Sequence, residues 1–278
     1  MDVPFEPGPM LASFVAHAVP GVEVVDREHG SIRRVVRLSS GPVVVEARLA
    51  DDFVSLRSVH GTASDDELAD LATRWFGLAD DLDQVSRHFE RDPLIGPLVR
   101  ARPRMRIPGH PDGFEAAVQT VLGQQVSLAA ARTFTGRFAA AFGSAGPEGL
   151  TMFPTPQQVV GRGAEEVQAT VRVTHARART LVSLARACAD GLDLAHDVDH
   201  ADTRARLLAL PGIGPWTVEY LALRVLADRD AFPSADLVLR QAIGVADASA
   251  VTAAGRAWAP LRAFAAQHLW VAKAYLVA

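Results

Sequence analysis

The chain has 278 residues and a formal net charge of −4, and its 49% hydrophobic and 22% charged residues exclude a disordered chain. Cys188 is the sole cysteine, so an internal disulfide and a four-cysteine metal or cluster site are excluded as well. No uninterrupted apolar run reaches about 18 residues, and the first twenty residues carry acid and prolines before their apolar stretch, unlike a secretory signal. We therefore expect a soluble, cytoplasmic protein, and its length suggests two domains.

The charge is unevenly distributed along the chain. Residues 1–99 contain 9 basic and 17 acidic side chains, a net charge of −8, whereas residues 100–278 contain 19 and 15, a net charge of +4. The overall acidity argues against a nucleic-acid partner, but the second half of the chain does not share it. Lys273 is the only lysine, so a mechanism that needs a lysine amine has a single candidate.

Residues 1–99 predict an α+β domain with an antiparallel sheet. Four β-branched runs near period two are separated by turn signals. Helical patterns precede and follow these runs, and the first of those that follow opens on acidic residues. The runs read VEVVDR, SIRRVVRLSS, PVVVEARLA and FVSLRSVH, and the helical patterns read MLASFVAHAV, DDELADLATRWFGL and DDLDQVSRHFE.

Residues 100–278 predict an all-α domain of about seven to nine helices. The segment RARPRMRIPGHPDG marks the boundary by its composition, and its arginines Arg100, Arg102, Arg104 and Arg106 either approach DNA phosphates or form a solvated linker. Beyond it, Ala/Leu/Arg-rich segments have helical spacing. Gly143, Gly191 and Gly244 stand where helices are expected to end.

Residues 207–228 predict two helices joined by a tight glycine turn. Leu210-Pro211-Gly212-Ile213-Gly214 permits the turn, Ile213 can fill the cleft between the helices, and Pro215 suits the first position of the second helix. The amides around Gly212, Gly214 and Thr217 then lie at a helix N-terminus, where they can bind a phosphate. The alternative is an ordinary helical hairpin with a glycine turn.

The segment LPGIGPWT, followed about twenty residues later by FPSADL, resembles the helix-hairpin-helix motif and catalytic loop of the HhH-GPD superfamily of DNA glycosylases. Within it, the chain resembles the AlkA type, DNA-3-methyladenine glycosylase II. The resemblance extends over nearly the whole chain, because the α+β domain is similar to the extra sheet domain of that type. It implies an all-α glycosylase domain that binds double-stranded DNA containing alkylated bases.

The resemblance implies that Asp236 is the catalytic residue. A carboxylate beneath the sugar stabilises the oxocarbenium-like charge that forms when an N-glycosidic bond breaks. It can also orient or deprotonate the attacking water. By position alone, an Asp before LVLRQAIG is a natural helix N-cap, and one residue can serve both purposes.

Trp216 and Tyr220 are four residues apart and therefore share a helix face, which by spacing alone is more typical of a core than of a ligand site. The resemblance places them with Trp270 in the base pocket, where aromatic faces attract a cationic methylated purine.

Trp216 also stands where the family members that cut the strand carry a Schiff-base lysine. We therefore expect a monofunctional glycosylase without lyase activity.

Gln125, in the segment GQQVS, stands where the family inserts a residue into the duplex to fill the gap left by the flipped base. The best-known members have an apolar side chain there, and the alternative is a plain turn before a helix that starts at Ser127.

The resemblance further implies a Na⁺ or K⁺ ion on the backbone carbonyls of Leu208, Leu210 and Ile213, but no required cofactor.

We expect a monomer that removes 3-methyladenine and 7-methylguanine from DNA. Two alternatives stay open at this point. One is a glycosylase for deaminated or oxidised bases, and the other is a DNA-binding protein that keeps the hairpin and has no catalytic activity.

Overall fold

The computed structural model describes residues 1–275, and its N-terminal part is a four-stranded antiparallel sheet flanked by helices. The strands pair in chain order as a meander, so the predicted α+β arrangement is confirmed. The elements are α1 (Pro7–His17), β1 (Glu23–Asp26), β2 (Ser31–Leu38), β3 (Gly41–Ala50), β4 (Phe53–His60) and α2 (Asp65–Phe76).

The period-two pattern of the strands separates two buried layers. One face of the sheet packs with α1 and α2 in a cluster that includes Ile32, Val45 and the stacked pair Trp75 and Phe76. The odd residues of β2 and the even residues of β3 point the other way, where Val35 and Val44 meet Leu150 from the helical part of the chain. Both faces of the sheet are therefore used in packing.

The rest of the described chain is mostly helical. Its helices are α3 (Leu82–Phe89), α4 (Ile95–Ala101), α5 (Gly113–Gly123), α6 (Leu128–Phe142), α7 (Pro156–Val160), α8 (Gly163–Val171), α9 (His175–Ala189), α10 (His200–Leu208), α11 (Pro215–Arg224), α12 (Leu237–Ile243), α13 (Ala248–Gly255) and α14 (Arg262–Trp270), followed by a π-helical turn Val271–Tyr275. Helices α6, α9 and α12 end just before Gly143, Gly191 and Gly244, as expected.

The helix count of the second domain corrects the expectation of seven to nine. Ten α-helices lie between Gly113 and Trp270 in the part of the chain that is described. Helices α7, α8 and α13 were not predicted, because they have only five to nine residues and show the helical period poorly. A small hairpin of β5 (Ser144–Ala145) and β6 (Thr151–Met152) also occurs where no strand was expected.

In the packed structure, the helical core begins earlier in the chain than the domain boundary that composition predicted. Val85 and Phe89 of α3 and Val99 of α4 belong to the helical core, although the predicted division lies between residues 99 and 100. Of the four arginines of the boundary segment, Arg100 is exposed, and the other three bind partners within the protein. Arg102 pairs with Glu6, Arg104 with Asp52, and Arg106 donates to the carbonyls of Pro4 and Gly77.

A buried ion pair joins the sheet to the helical domain. Arg34 of β2 is 2% exposed and donates to the carboxylates of Glu23, at 3.1 Å, and Glu115 of α5, at 2.6 Å. Removing one partner from such a pair leaves an uncompensated buried charge, which is strongly destabilising. The contact therefore holds α5, which lines the cavity described below, in a fixed position against the sheet.

Among residues 1–275, no single helix has the length and apolar character needed to cross a membrane. The helices Leu237–Ile243 and Ala248–Trp258 reach that length only when taken together, and they are bent by 66° relative to each other.

Candidate active site

The glycine turn between α10 and α11 has the predicted form. Gly212 has a φ of +83°, and a Cβ there would lie 2.1 Å from Thr180 Oγ1, so the position requires glycine. Ile213 is buried in the helical core, and Pro215 opens α11. The hairpin formed by α10 and α11 runs from residue 200 to residue 224, so it begins and ends earlier in the chain than the predicted 207–228.

The N-terminus of α11 is left open for an anion. Its N-cap is Gly214, which has no side chain to bond the first amides, and nothing in the described chain lies within 4 Å of a Cβ placed there. The Thr217 side chain is buried and accepts a hydrogen bond from Gln124, so only its backbone amide can face a ligand. The open amides and the helix dipole can bind a phosphate.

Asp236 lies at the N-terminus of α12, and its carboxylate has two sets of partners. Its Oδ1 atom accepts from the amides of Val238, at 2.9 Å, and Leu239, at 3.0 Å, so the residue is an N-cap. Oδ1 also accepts from Trp270 Nε1 at 3.1 Å, and Oδ2 accepts from Trp216 Nε1 at 3.1 Å. The cap and the aromatic residues therefore meet at one carboxylate, and Oδ2 retains free acceptor capacity.

The three aromatic side chains predicted for the base pocket lie together. The rings of Trp216 and Tyr220 stack with centroids 5.3 Å apart and an angle of 18° between their planes. The Trp270 ring is 5.9 Å from that of Tyr220 and tilted by 60°. Helix α11 supplies the first two rings from one face, and α14 supplies the third, so tertiary packing completes the trio.

These residues line an open cavity of about 380 Å³, here called the aromatic cavity. Asp236 and the three aromatic residues form one side of it, and α5 and α6 form another. A third side comes from the sheet domain, because Ser13, Phe14 and His17 of α1 also line it. The sequence had no signal for this contribution of α1, since the contact depends on how the two parts of the chain pack.

Arg224 is a further cavity residue that the sequence analysis missed. It lies on α11 one turn beyond Tyr220, is 8% exposed, and donates from Nη1 to the Pro108 carbonyl at 3.0 Å. Its guanidinium carbon is 5.5 Å from the Tyr220 ring centre and 5.2 Å from that of Trp270. The i, i+4 spacing from Trp216 and Tyr220 was available as a signal, but arginine at a helix end usually indicates a surface position.

The loop between α5 and α6 places Gln125 at the rim of the aromatic cavity. Gln125 is exposed with a φ of +54°, while its neighbours Gly123 and Val126 line the cavity. The preceding Gln124 holds the loop, because its side-chain amide donates to the Gly212 carbonyl at 3.1 Å and its own carbonyl accepts from Arg177. Ser127 caps α6, so the turn and the exposed Gln125 side chain occur together.

The carbonyls suggested for a monovalent cation lie in the glycine turn. The Leu210 carbonyl accepts from the Ile213 amide at 3.1 Å, which leaves its second lone pair free. No backbone amide of the described chain donates to the carbonyls of Leu208 or Ile213 at this turn. Oxygen donors of this kind fit a hard cation.

The single lysine and the single cysteine of the sequence lie apart from the three aromatic side chains. Lys273 is exposed on the π-helical turn and does not line the cavity, although the next residue, Ala274, does. Cys188 lies on α9, and burial raises the pKa of its thiol to about 12, which makes it a poor nucleophile.

Two family models match most of the chain. Residues 2–112 match the AlkA N-terminal domain, and residues 118–251 match the HhH-GPD superfamily base excision DNA repair protein. The helix-hairpin-helix turn, Asp236 and the loop of Gln125 all lie within the second match.

Similar proteins carry related names. A probable bifunctional transcriptional activator/DNA repair enzyme AlkA of Mycobacterium tuberculosis is 38% identical over 96% of this chain, which spans 55% of that protein's length. DNA-3-methyladenine glycosylase 2 of Escherichia coli is 34% identical over 63% of each chain. The solved 3-methyladenine DNA glycosylase of Archaeoglobus fulgidus has a TM-score of 0.84, with 20% identity over 98% of this chain and 97% of its own. The chain belongs to the HhH-GPD superfamily of base excision DNA repair proteins, with an N-terminal domain of the AlkA type.

Proposed function

We propose that this protein is a monofunctional DNA glycosylase that removes alkylated purines, including 3-methyladenine and 7-methylguanine, from double-stranded DNA. The observation that carries the proposal is the carboxylate of Asp236, which is bonded to the indoles of both Trp216 and Trp270 inside one cavity. A protein that only bound DNA would have no need for this arrangement. The names of the M. tuberculosis and E. coli relatives point to the same activity.

Asp236 supplies the electrostatic part of the reaction. As the bond between the sugar C1′ and the purine nitrogen breaks, its electron pair goes to the base and positive charge develops on the sugar. A carboxylate fixed by four N–H donors needs no reorganisation to stabilise that charge. A water oxygen then bonds to C1′, and Asp236 accepts or directs the proton that this water releases.

The aromatic residues account for the choice of an alkylated purine. Such a base carries a positive charge, and the faces of Trp216, Tyr220 and Trp270 can stack on it and attract it. The cationic base leaves as a neutral molecule, so a pocket with one carboxylate needs no separate acid to release it. Extrusion of the base into this cavity is required because the bond cannot be reached within the duplex.

The lack of a suitable amine supports hydrolysis without strand cleavage. Cleavage through a Schiff base requires a lysine at the sugar, and Trp216 occupies that position of the hairpin. The single lysine, Lys273, is exposed and outside the lining of the cavity. The product is therefore an intact abasic site.

The hairpin and the loop of Gln125 bind the DNA. Amides at Gly212, Gly214 and Thr217 bind one phosphate, and a Na⁺ or K⁺ ion on the turn carbonyls would add to the positive potential there. Gln125 enters the duplex, fills the space of the extruded base and forms hydrogen bonds with the unpaired partner base. The protein acts as a monomer, because all of these groups belong to one chain.

The test uses a duplex oligonucleotide with a single 7-methylguanine and measures release of the free base. The wild-type chain is expected to release it, and Asp236→Asn is expected to lose this activity. Asp247→Asn is the matched control, since Asp247 also caps a helix, α13, but lies outside the cavity lining. Tight binding of the duplex without release of any base would instead favour the DNA-binding alternative.

A further inference from the structure

The guanidinium of Arg224 is a buried cation that has no carboxylate partner in the part of the chain that is described. Among residues 1–275, no Asp or Glu oxygen lies within ion-pair distance of it, and its Nη1 atom donates to the Pro108 carbonyl at 3.0 Å. It lies over the rings of Tyr220 and Trp270. It also lines a second cavity of about 340 Å³ on the other side of Gly109 and His110. Among the described residues, its Nε and Nη2 atoms have no hydrogen-bond acceptor, and the residue lines both cavities.

The charged groups of the aromatic cavity do not by themselves favour a cationic base. Arg224 and Arg132 both line it, whereas Asp236 is the only acidic residue among the described residues of the lining. Arg132 donates to the Ala18 carbonyl and has no acidic partner in the described chain. Burial lowers the pKa of His17, and the nearby arginines act in the same direction, so His17 adds no positive charge at neutral pH. Two fixed positive charges thus face one negative charge.

We propose that Arg224 is a specificity-determining residue of this pocket and that it raises the rate for uncharged purines with an acceptor atom at the edge of the ring relative to the rate for cationic purines. This inference rests on the proposed glycosylase function. The aromatic faces attract a cationic base, and the Arg224 guanidinium, which lies over two of those rings, repels it. For a neutral base, Arg224 acts instead as a hydrogen-bond donor to a ring nitrogen or a carbonyl oxygen, such as N7 and O6 of a deaminated or alkylated purine.

A neutral purine and a cationic purine differ in the charge of the leaving group. When a neutral purine leaves, the electron pair of the C1′–N9 bond makes it an anion, which then takes up one proton from water. When a cationic methylated purine leaves, the same electron pair makes it neutral. The positive charge of Arg224 stabilises the first leaving group as its charge develops and offers nothing to the second. The side chain therefore shifts the relative rates for the two classes of lesion.

The experiment compares single-turnover excision of hypoxanthine, which is neutral, and of 7-methylguanine, which is cationic, from otherwise identical duplexes. Arg224→Met removes the charge but keeps a long side chain, and it is expected to lower the ratio of the hypoxanthine rate to the 7-methylguanine rate by about tenfold or more. Arg224→Lys keeps the charge and should retain more of the ratio than Met. Arg87→Met, at an exposed position on α3 that is outside the cavity lining, controls for net charge. A ratio unchanged by Arg224→Met would overturn the inference, as would equal losses in both rates.

A binding measurement separates this inference from the proposed function, because it needs no catalysis. Quenching of tryptophan fluorescence reports the affinity for 9-methylguanine, which is neutral, and for 7,9-dimethylguaninium, which is a cation of nearly the same shape. Arg224→Met is expected to shift the ratio of affinities toward the cation by about tenfold. If the wild-type chain excised no base but this shift appeared, the proposed function would fail while the role of Arg224 would stand. If excision occurred and neither ratio moved, the role of Arg224 would be wrong.

Discussion

Asp236→Asn separates the two roles of the carboxylate. The Asn side-chain oxygen can accept from the amides of Val238 and Leu239 and from the Trp270 indole, so the cap of α12 is retained. The Asn amide nitrogen replaces Oδ2 and faces the Trp216 indole N–H, so two donors meet and that hydrogen bond is lost. The free energy of unfolding should fall by about 1–2 kcal/mol, the cost of one unsatisfied polar group.

The effect on the reaction should be far larger than the effect on stability. A carboxylate about 4 Å from a positive sugar contributes about 4 kcal/mol at an effective dielectric constant near 20. Its removal should therefore lower the rate of the chemical step about 10³-fold. Single-turnover release of 7-methylguanine measures the rate, and chemical denaturation measures the stability. An Asn variant within tenfold of the wild-type rate would refute the assignment of Asp236.

Three further predictions concern strand cleavage, the hairpin and pH. Borohydride treatment of the protein with methylated duplex should trap no covalent adduct, and an adduct would contradict the absence of a Schiff base at Lys273. Gly212→Ala should reduce both stability and duplex affinity, because its Cβ would meet Thr180 Oγ1 at 2.1 Å, whereas Gly214→Ala has open space and should leave stability nearly unchanged in thermal melts. Burial lowers the pKa of His268 to about 3, so the folded protein keeps it neutral while the unfolded chain protonates it near pH 6.5. Unfolding free energy should therefore fall by about 2 kcal/mol for this residue between pH 7 and pH 5, and an equal fall in His268→Asn would exclude this origin.

Asp236 was predicted on two separate grounds. Position alone predicted a helix N-cap at Asp236, the resemblance predicted a catalytic carboxylate, and the structure shows the cap and the aromatic contacts at the same side chain. The i, i+4 spacing of Trp216 and Tyr220 correctly predicted a shared face. Spacing could not decide between a core and a cavity, because that depends on what packs against the face.

The boundary segment shows where composition misled. Arg102, Arg104 and Arg106 were expected to be solvated or to meet DNA, and the structure uses all three to hold the sheet domain. A run of arginines carries no information about which carboxylates and carbonyls the fold will bring to it. The same limit applies to His17, which reaches the aromatic cavity only because α1 packs beside α6 and the π-helical turn that follows α14.

By itself, the sequence determined the local features of this protein. Period-two alternation specified the four strands, the glycines and Pro215 specified the hairpin, and the spacing of the hairpin and Asp236 specified the family. These depend on backbone conformation and on neighbours within a few residues. The tertiary structure alone decided the charge of the aromatic cavity. The net charge of −4 and the +4 of the second half do not predict the charge of a cavity that is lined by the buried Arg224, the half-buried Arg132 and the carboxylate of Asp236. Burial and long-range packing set the local electrostatics.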